Sequence, residues 1–320
     1  MIERYSLIGE ARVERHEIEA FLTVAEELHF GRATERLGLS QGRVSQTIKR
    51  LERRIGAPLF ERSSRRVALT AVGKQLRDDL IPAHRQIRQA FARAVETAGT
   101  STGTVRIGYS GSPIGELLLR AADTVRTAYA GWDVDIREVP LGNPLGLLRS
   151  GRLDLQVTEL PVDEPDIAHG PVVHTTSRAL LVPSGHPLAT RPTVSLEDLA
   201  DVELLAPSGD IPQSWLDVYF PRATPSGRPI PHGPMGTNWQ ELHLQVAAGK
   251  GVTMVVTWAD TFYARPGVTV VPFSDTPPVE FGLLWPAGQP PTGVRAAYVD
   301  AVVREAEAWT GSGTGRDGSA

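Results

Sequence analysis

The first sixty residues repeat apolar positions with the period of an α-helix. A helix is predicted over residues 17–28, where apolar residues recur three and four positions apart: Ile18, Phe21, Leu22 and Ala25. A second, short helix is predicted over residues 31–37, before Gly38, which readily takes the positive φ of a helix C-terminus. This spacing predicts two short helices in succession.

A third helix is predicted from Ser40, a suitable N-cap, to about residue 55. One face carries the apolar residues Val44, Ile48, Leu51 and Ile55, so we expect that face to pack on a core. The opposite face is polar and cationic and carries Gln41, Arg43, Ser45, Gln46, Lys49, Arg50, Arg53 and Arg54. Two helices joined by a short turn that contains glycine are typical of a helix-turn-helix. Its second helix can enter the major groove, where Arg and Gln pair with guanine and adenine.

Residues 58–70 contain two short extended pieces around a basic tip, a pattern that predicts a β-wing. Arg62, Arg65 and Arg66 at this tip could contact the DNA backbone or the minor groove. The alternative is a solvated basic hairpin without a DNA contact.

Residues 70–98 predict a long helix with an apolar seam at alternating spacings of four and three, formed by Leu76, Leu80, Ala83, Ile87, Ala90 and Ala94. Such a seam pairs helices, and DNA readers of this type usually bind as dimers. The alternative is a helix that packs on its own domain. Pro82 removes one backbone hydrogen bond and could kink the helix.

Beyond the small-residue segment 99–103, strand-like and helical runs alternate, which indicates an α/β domain with mostly parallel sheets. Strands are predicted over residues 105–109, 134–139, 153–157, 179–182, 252–256, 268–273 and 281–285. Helices are predicted over residues 116–129, 145–149, 195–199, 215–220, 239–248 and 294–309. Residues 310–320 are of low complexity, and we expect them to be disordered.

Charge divides the chain in the same place as the periodicity does. Up to residue 98 there are 18 Lys and Arg against 13 Asp and Glu, and after it 15 against 24, within a net charge of -4 for 320 residues. A basic first part suggests a polyanionic partner. The chain has no cysteine, which excludes disulfides and thiolate metal sites. The N-terminus has no apolar signal segment and no run suits a membrane span, so we expect a cytoplasmic protein.

A Gly/Ser turn follows the first strand of the second part, at residues 108–113. Its backbone N–H groups, the following helix N-terminus and the hydroxyls of Ser110 or Ser112 could form a cradle for a ligand carboxylate. Alternatively, the turn only caps the following helix, and capping and ligand binding can coexist. The turn also nearly matches the GxSxG nucleophile of an esterase, but Ser112 replaces the second glycine and no triad partners are evident.

Other candidate chemistry is sparse. The eight histidines lack the spacing of a metal site, so we expect no metal. Trp239, Trp258 and Trp285 suit a core or a cleft wall better than a cofactor box. Asp154 and Glu159 lie on or beyond one predicted strand; Glu159 is the better placed of the two to reach a cleft, although a solvated carboxylate is the default for each.

The chain resembles a LysR-type transcriptional regulator over almost its whole length. The resemblance rests on residues 21–37, 39–52, 58–62 and 69–73 in the first part, and more loosely on residues 178–189, 246–252 and 281–285. It implies a winged helix-turn-helix domain over residues 15–73 and a dimerising linker helix over 74–98. It also implies an effector domain over 104–309, built from two α/β subdomains like a type 2 periplasmic binding protein. Subdomain I would hold about 104–178 and 275–309, and subdomain II 179–274.

The resemblance further implies a sequence-specific regulator that binds double-stranded DNA as a homodimer or homotetramer, without cofactor, membrane or catalysis. By matching position, the DNA-contacting residues would be Ser40, Gln41, Arg43, Ser45, Gln46, Lys49, Arg50, Arg53, Arg62, Arg65 and Arg66. A small-molecule effector, with an organic carboxylate as one candidate, would meet Ser110, Gly111, Ser112, Asn143, Glu159 and Ser208. The family often has a proline after the strand at residues 252–258, and a hydroxyl residue where Asn143 stands, so this chain departs from the pattern at both places.

Two rival classes follow from the same residues. An enzyme would use the turn at residues 110–112, and the missing triad partner counts against it. A transporter's solute-binding protein is opposed by the basic first part and the absent signal segment.

Overall fold

A computed structural model describes residues 13–62, 67–97 and 102–312, and the chain divides into two compact units, Met1–Thr97 and Ala98–Ala320. Each unit has a hydrophobic core of its own. This division coincides with the change in charge and periodicity along the sequence.

The first unit contains four helices and a hairpin within its described residues. These are α1 (Arg15–Glu27), α2 (Phe30–Leu37), α3 (Gln41–Ile55), β1 (Phe60–Arg62), β2 (Val67–Leu69) and α4 (Ala71–Thr97). β1 and β2 pair antiparallel, with Phe60 opposite Leu69. The helix-turn-helix and the two strands of a wing are therefore present, as the sequence predicts.

Local signals in the sequence set the helix ends in this unit. The Ser40 hydroxyl accepts a 3.4 Å hydrogen bond from the Arg43 N–H and caps α3, as predicted. Gly38 and Gly56 take φ values of +63° and +80° after α2 and α3, conformations that favour glycine.

The long helix α4 continues through Pro82 and divides the predicted seam into parts with different surroundings. Leu76 and Leu80 pack against the core of their own unit, whereas Ala83 and Ile87 are exposed, Ile87 by 52%. The side chains of Ala90 and Ala94 lie outside the described residues. The first part of the helix therefore follows the alternative of packing on its own domain.

The second unit contains two sheets with helices around them. Its larger elements are β3 (Gly103–Tyr109), α5 (Ser112–Ala128), β4 (Trp132–Glu138), α6 (Gly146–Arg149), β5 (Leu155–Glu159), β6 (Ile167–Thr176), β7 (Arg178–Pro183), α7 (Gln213–Tyr219), α8 (Trp239–Ala247), β8 (Thr253–Val256), α9 (Ala259–Phe262), β9 (Val268–Pro272), β10 (Val279–Pro286) and α10 (Val294–Ser312). Two 3-10 helices, Pro187–Thr190 and Leu196–Asp201, follow β7, and Ser195 with Asp198 forms a capping box at the start of the second one.

The first sheet has the strand order β4-β3-β5-β10-β6, and the second has the order β8-β7-β9. Only β3 with β4 and β3 with β5 are parallel; every other pair in the two sheets is antiparallel. The expectation of mostly parallel sheets is therefore wrong. The reason is that β10 returns between β5 and β6, and that β7 is flanked by strands running against it.

The chain passes twice between the two sheets, from β6 to β7 and from β9 back to β10. Two such crossings join two α/β halves, as the fold resemblance implies. β6 has no counterpart among the predicted strands, α5 begins at Ser112 instead of residue 116, and residues 310–312 belong to α10 instead of a disordered tail. Residues 313–320 lie outside the described residues.

Candidate functional site

The inner face of α3 is fully packed. Val44 and Ile48 are 0% exposed and Leu51 is 2% exposed, and all three belong to the core of the first unit. Ile55, predicted to face this core, is instead 38% exposed at the end of the helix. Packing of the inner face fixes which side chains the helix presents to solvent.

The outer face of α3 exposes most of the side chains predicted to contact DNA. Those classed as exposed are Ser40, Gln41, Arg43, Gln46, Lys49, Arg50 and Arg53, while Ser45 is half-buried. Among the described residues, Arg43, Lys49 and Arg50 form no ion pair or hydrogen bond through their side chains, and Arg53 donates to the Lys49 carbonyl at 3.4 Å. The helix therefore presents cations and amides that internal partners do not occupy.

Arg54 departs from this pattern because it points towards the core. Its guanidinium lies 2.6 Å from the Glu17 carboxylate, which is completely buried. Burial pushes the pKa of Glu17 upward, but the Glu14 backbone N–H and the Arg54 guanidinium outweigh it, so the pKa lies below its ordinary value. Arg54 thus ties α3 to α1 and is not part of the exposed set.

A concave surface continues from the outer face of α3 to the start of the hairpin. It is lined by Gln46, Lys49, Arg50, Glu52, Arg53, Gly56, Ala57 and Pro58. The Glu52 carboxylate accepts hydrogen bonds from the N–H groups of Leu59 at 2.9 Å and Phe60 at 3.4 Å, which fixes the hairpin against the helix. Of the three wing arginines, Arg62 ends β1 and its side chain is not described, while Arg65 and Arg66 lie outside the described residues.

The second unit has a cleft with two adjoining lobes. Gly111, Glu159, Trp215 and Trp239 line both lobes. Ser110 and Glu138 line the first lobe, and His243, Trp258 and Tyr263 line the second.

Neighbouring parallel strands bring Ser110 and Glu159 together. β3 and β5 pair with Tyr109 opposite Val157, so the residues that follow or end these strands meet at one edge of the sheet. The Ser110 hydroxyl donates to Glu159 Oε2 at 2.7 Å, and the Thr158 hydroxyl donates to the same oxygen at 3.3 Å. Burial raises the pKa of Glu159 above its ordinary value, although both hydroxyls act to lower it. Asp154, by contrast, forms a bidentate pair with Arg106 away from the cleft.

The N-terminus of α5 is already hydrogen-bonded. The N–H and the hydroxyl of Ser112 lie 3.2 and 3.0 Å from the Tyr263 hydroxyl oxygen. Pro113 has no N–H, and the Ile114 N–H donates to the Gly111 carbonyl at 3.1 Å. Gly111 itself has φ +83°, and the ring of Trp258 packs where its side chain would be.

Asn143 and Ser208 are not among the residues that line the two lobes. Their segments touch through the backbone, since the Asp210 N–H donates to the Gly142 carbonyl at 2.8 Å. The Ser208 hydroxyl donates to the Gly236 carbonyl at 3.3 Å. Of the six residues predicted for the effector, the structure therefore brings Ser110, Gly111 and Glu159 into the cleft and Ser112 to its edge.

The aromatic walls of the cleft were largely missed by sequence reasoning. Trp239 and Trp258 were considered as cleft wall, but Trp215, Tyr219, Phe220 and Tyr263 were not considered. These residues come from α7, α8 and the segment around α9, which are far apart in the chain. The signal available was a Trp or Tyr in each of several short helices, which alone does not distinguish a wall from a core.

The described residues supply neither a group of metal ligands nor a histidine partner for a Ser110 nucleophile. No group of three His, Asp or Glu side chains there could hold a metal ion. Ser110, the residue that would be the nucleophile of an esterase, bonds to Glu159 and not to a histidine. The described residues also contain no helix long and apolar enough to cross a membrane.

Comparison with known families agrees with both units. The profile of the bacterial regulatory helix-turn-helix protein, lysR family, matches residues 16–74, and that of the LysR substrate binding domain matches residues 98–307. The chain belongs to the LysR family. Members of this family are DNA-binding transcriptional regulators with an effector-binding domain, and not enzymes.

Two curated LysR-type relatives illustrate the match. YnfL of Escherichia coli K12 is 36% identical over 191 residues, which are 59% of this chain and 63% of YnfL. AlsR of Bacillus subtilis 168 is 30% identical over 208 residues, which are 65% of this chain and 68% of AlsR. The matched residues therefore span slightly less than two thirds of YnfL and slightly more than two thirds of AlsR.

Solved LysR structures share the fold. The crystal structure of CbnR superposes with a TM-score of 0.59 at 22% identity, over 92% of this chain and 99% of CbnR. Full-length CbnR complexed with its target DNA superposes with a TM-score of 0.54 at 21% identity, over 92% of this chain and 100% of that chain. These likenesses confirm the predicted fold class.

Proposed function

We propose that this chain regulates transcription by binding double-stranded operator DNA through residues 15–73 and by binding a small-molecule effector through residues 104–309. The observation that carries the proposal is the two-faced helix α3. Its inner face is buried, while the outer face presents Arg43, Lys49 and Arg50 without internal partners among the described residues.

The outer face of α3 suits the major groove. Near its N-terminus, Gln41, Arg43 and Gln46 are the side chains for base edges, because Arg and Gln make bidentate pairs with guanine and adenine. Lys49, Arg50 and Arg53, farther along the helix, are assigned to phosphates, and Ser40 and Ser45 to further polar contacts. Arg62, Arg65 and Arg66 are assigned to the wing. That CbnR was solved with its target DNA supports this role for the fold.

The helix over residues 74–98 is assigned to dimerisation. Support comes from Ile87, a large apolar side chain that is 52% exposed on α4. A homodimer, or a dimer of dimers, would place two α3 helices on half-sites about one DNA turn apart. Because a DNA-binding regulator acts on the chromosome, we assign this protein to the cytoplasm.

The cleft between the two sheets is assigned to the effector, with Ser110, Gly111, Ser112, Asn143, Glu159 and Ser208 as the candidate residues. A ligand that binds one degree of closure more tightly would shift the population of closed forms. Coupled to paired DNA-binding domains, this shift would change affinity for the operator.

The test is selection of bound sequences from a randomised duplex library by the full chain. We expect a motif of two half-sites, and we expect Arg43→Ala to lose about 1–3 kcal/mol of specific affinity and to relax one position of the motif. Arg15→Ala is the matched control, because Arg15 is exposed on α1 and pairs with Glu19 instead of facing outward from α3. If the wild-type chain enriches no motif, the proposal is contradicted. If the Arg43→Ala variant selects the same motif as the wild type, Arg43 does not take part in base readout.

A further inference from the structure

The charged side chains that line the cleft have one sign. Glu138 lines the first lobe and Glu159 lines both, while no lysine or arginine among the described residues lines either. The guanidinium of Arg178 lies 4.5 Å from the Tyr219 ring centroid and donates to the Val218 carbonyl, so it is engaged beside the cleft wall instead of at Glu159. The cleft thus offers acceptors of positive charge and no fixed cation.

The serine donors that the sequence suggests for a carboxylate ligand are already engaged. The Ser110 hydroxyl, which was predicted to donate to a ligand, donates instead to Glu159. The Ser112 N–H and hydroxyl are engaged with Tyr263, and the next N–H along α5 bonds to Gly111. These contacts count against the organic carboxylate suggested by the sequence.

The walls around Glu159 are aromatic. Trp215, Tyr219, Trp239, Trp258 and Tyr263 line the second lobe together with Glu159. Aromatic faces attract organic cations, and a buried carboxylate gives such a cation a specific partner. The combination is selective because a carboxylate alone would favour small inorganic ions as well.

We propose that the effector is a small organic molecule with a protonated amine, which pairs with the Glu159 carboxylate while its apolar body lies against the aromatic walls. This inference rests on the proposed function, because it names the chemical class of ligand for the same cleft.

The titration of Glu159 gives the proposal a signature. Burial raises the pKa of its carboxyl in the empty cleft, and a bound ammonium group would lower it, so ligand binding would expel a proton. The nearby groups keep their ordinary neutral forms: burial, together with Arg265, lowers the pKa of His243, and burial raises the pKa of Tyr219 and Tyr263. Glu138 is the other carboxylate at the cleft. Amine affinity should therefore rise with pH, by at most about tenfold per unit while Glu159 titrates.

The experiment uses the full chain and three amines of increasing size: butylamine, 2-phenylethylamine and tryptamine. Each is compared with its alcohol and its carboxylate of similar length in thermal-shift and calorimetric titrations, since a ligand of the native state raises the melting temperature. We expect at least one amine to bind ten or more times as tightly as both of its analogues. Equal or tighter binding of the carboxylate, or no response to any amine, would overturn the proposal.

Variants separate the role of Glu159 from general effects. Glu159→Gln retains an acceptor for Ser110 and should remove the preference of the cleft for the amine over the alcohol. Glu116→Gln, which removes an exposed carboxylate from α5, should retain this preference. A preference that survives Glu159→Gln would overturn the assignment. Without ligand, Glu159→Gln should melt no lower than the wild type, because a buried carboxylate with a raised pKa opposes folding at neutral pH.

DNA retention by the same preparations distinguishes this inference from the proposed function. Retained DNA binding with no amine preference contradicts the ligand class alone. If the protein prefers the amine but does not bind DNA, the proposed function is contradicted, and the assignment of the cleft is still supported.

Discussion

The outer face of α3 and the cleft of the second unit are both candidate binding surfaces, but they are built in opposite ways. The α3 surface comes from one continuous segment of 14 residues, 40–53, whose side chains are mostly exposed. The cleft draws its lining from residues between 110 and 263, and its central carboxylate is buried. A surface carried by one helix follows from periodicity, whereas a surface made by tertiary packing does not.

The two faces of α3 should respond very differently to substitution. Ile48→Ala should lower the stability of the first unit by about 2–5 kcal/mol, because it leaves a cavity in the core. Arg50→Ala, its matched control on the exposed face, should change stability by less than about 0.5 kcal/mol. Hydrogen exchange within residues 15–55 of the full chain measures both. Similar protection in the two variants would mean that α3 does not have one buried and one exposed face.

This contrast also shows how far the sequence reaches. Apolar spacing predicts the inward residues of α3 and Ser40 predicts its cap, because both signals are local. Arg54 was assigned to the outer face, because helical spacing alone cannot reveal its partner Glu17, which is 37 residues away. In the second unit, β6 was missed because its sequence IAHGPVVHTT contains Gly, Pro and polar residues that break the strand pattern. The aromatic walls of the cleft depend on how α7, α8 and α9 pack, which no local signal encodes.

The pair of Glu17 and Arg54 offers the next test, because here a cation of α3 joins the helix to α1. Glu17→Gln should cost about 1–3 kcal/mol at neutral pH through loss of a charged hydrogen bond. Since folding lowers the pKa of Glu17, its contribution is complete above the ordinary value of 4.5 and is lost as the pH falls through the lowered pKa. Urea titrations from pH 7 to pH 3 should therefore show the two proteins converging in acid. A difference that is constant with pH would contradict this role.

Gly111→Ala perturbs the cleft from its backbone. At φ +83°, the new Cβ would overlap the ring of Trp258, so the residue and the ring cannot both keep their positions. We expect a loss of about 1–3 kcal/mol and weaker binding of any cleft ligand. Gly185→Ala is the control, because a Cβ there meets nothing within 4 Å. Thermal unfolding of the full chain compares the two, and equal melting temperatures would show that the Trp258 wall can move at little cost.

The smallest expected effect is at the N-cap of α3. Ser40→Ala should cost about 0.5–1 kcal/mol, since its hydroxyl caps the helix through a long bond of 3.4 Å. Ser40→Asp retains a capping acceptor and should recover most of this loss. Hydrogen exchange at the first turn of α3 reports on it, and a Ser40→Asp variant as frayed as Ser40→Ala would argue against capping.

The cations on the outer face of α3 are assigned to DNA phosphates, and the salt dependence of DNA binding tests this assignment. Retention of a mixed-sequence duplex by the full chain should fall steeply as salt rises, because each phosphate contact releases counterions. For the double variant Lys49→Ala, Arg50→Ala, the slope of log affinity against log salt should be shallower by about 2, roughly one for each contact removed. A slope equal to that of the wild type would contradict the account, because it would mean that neither cation meets the duplex.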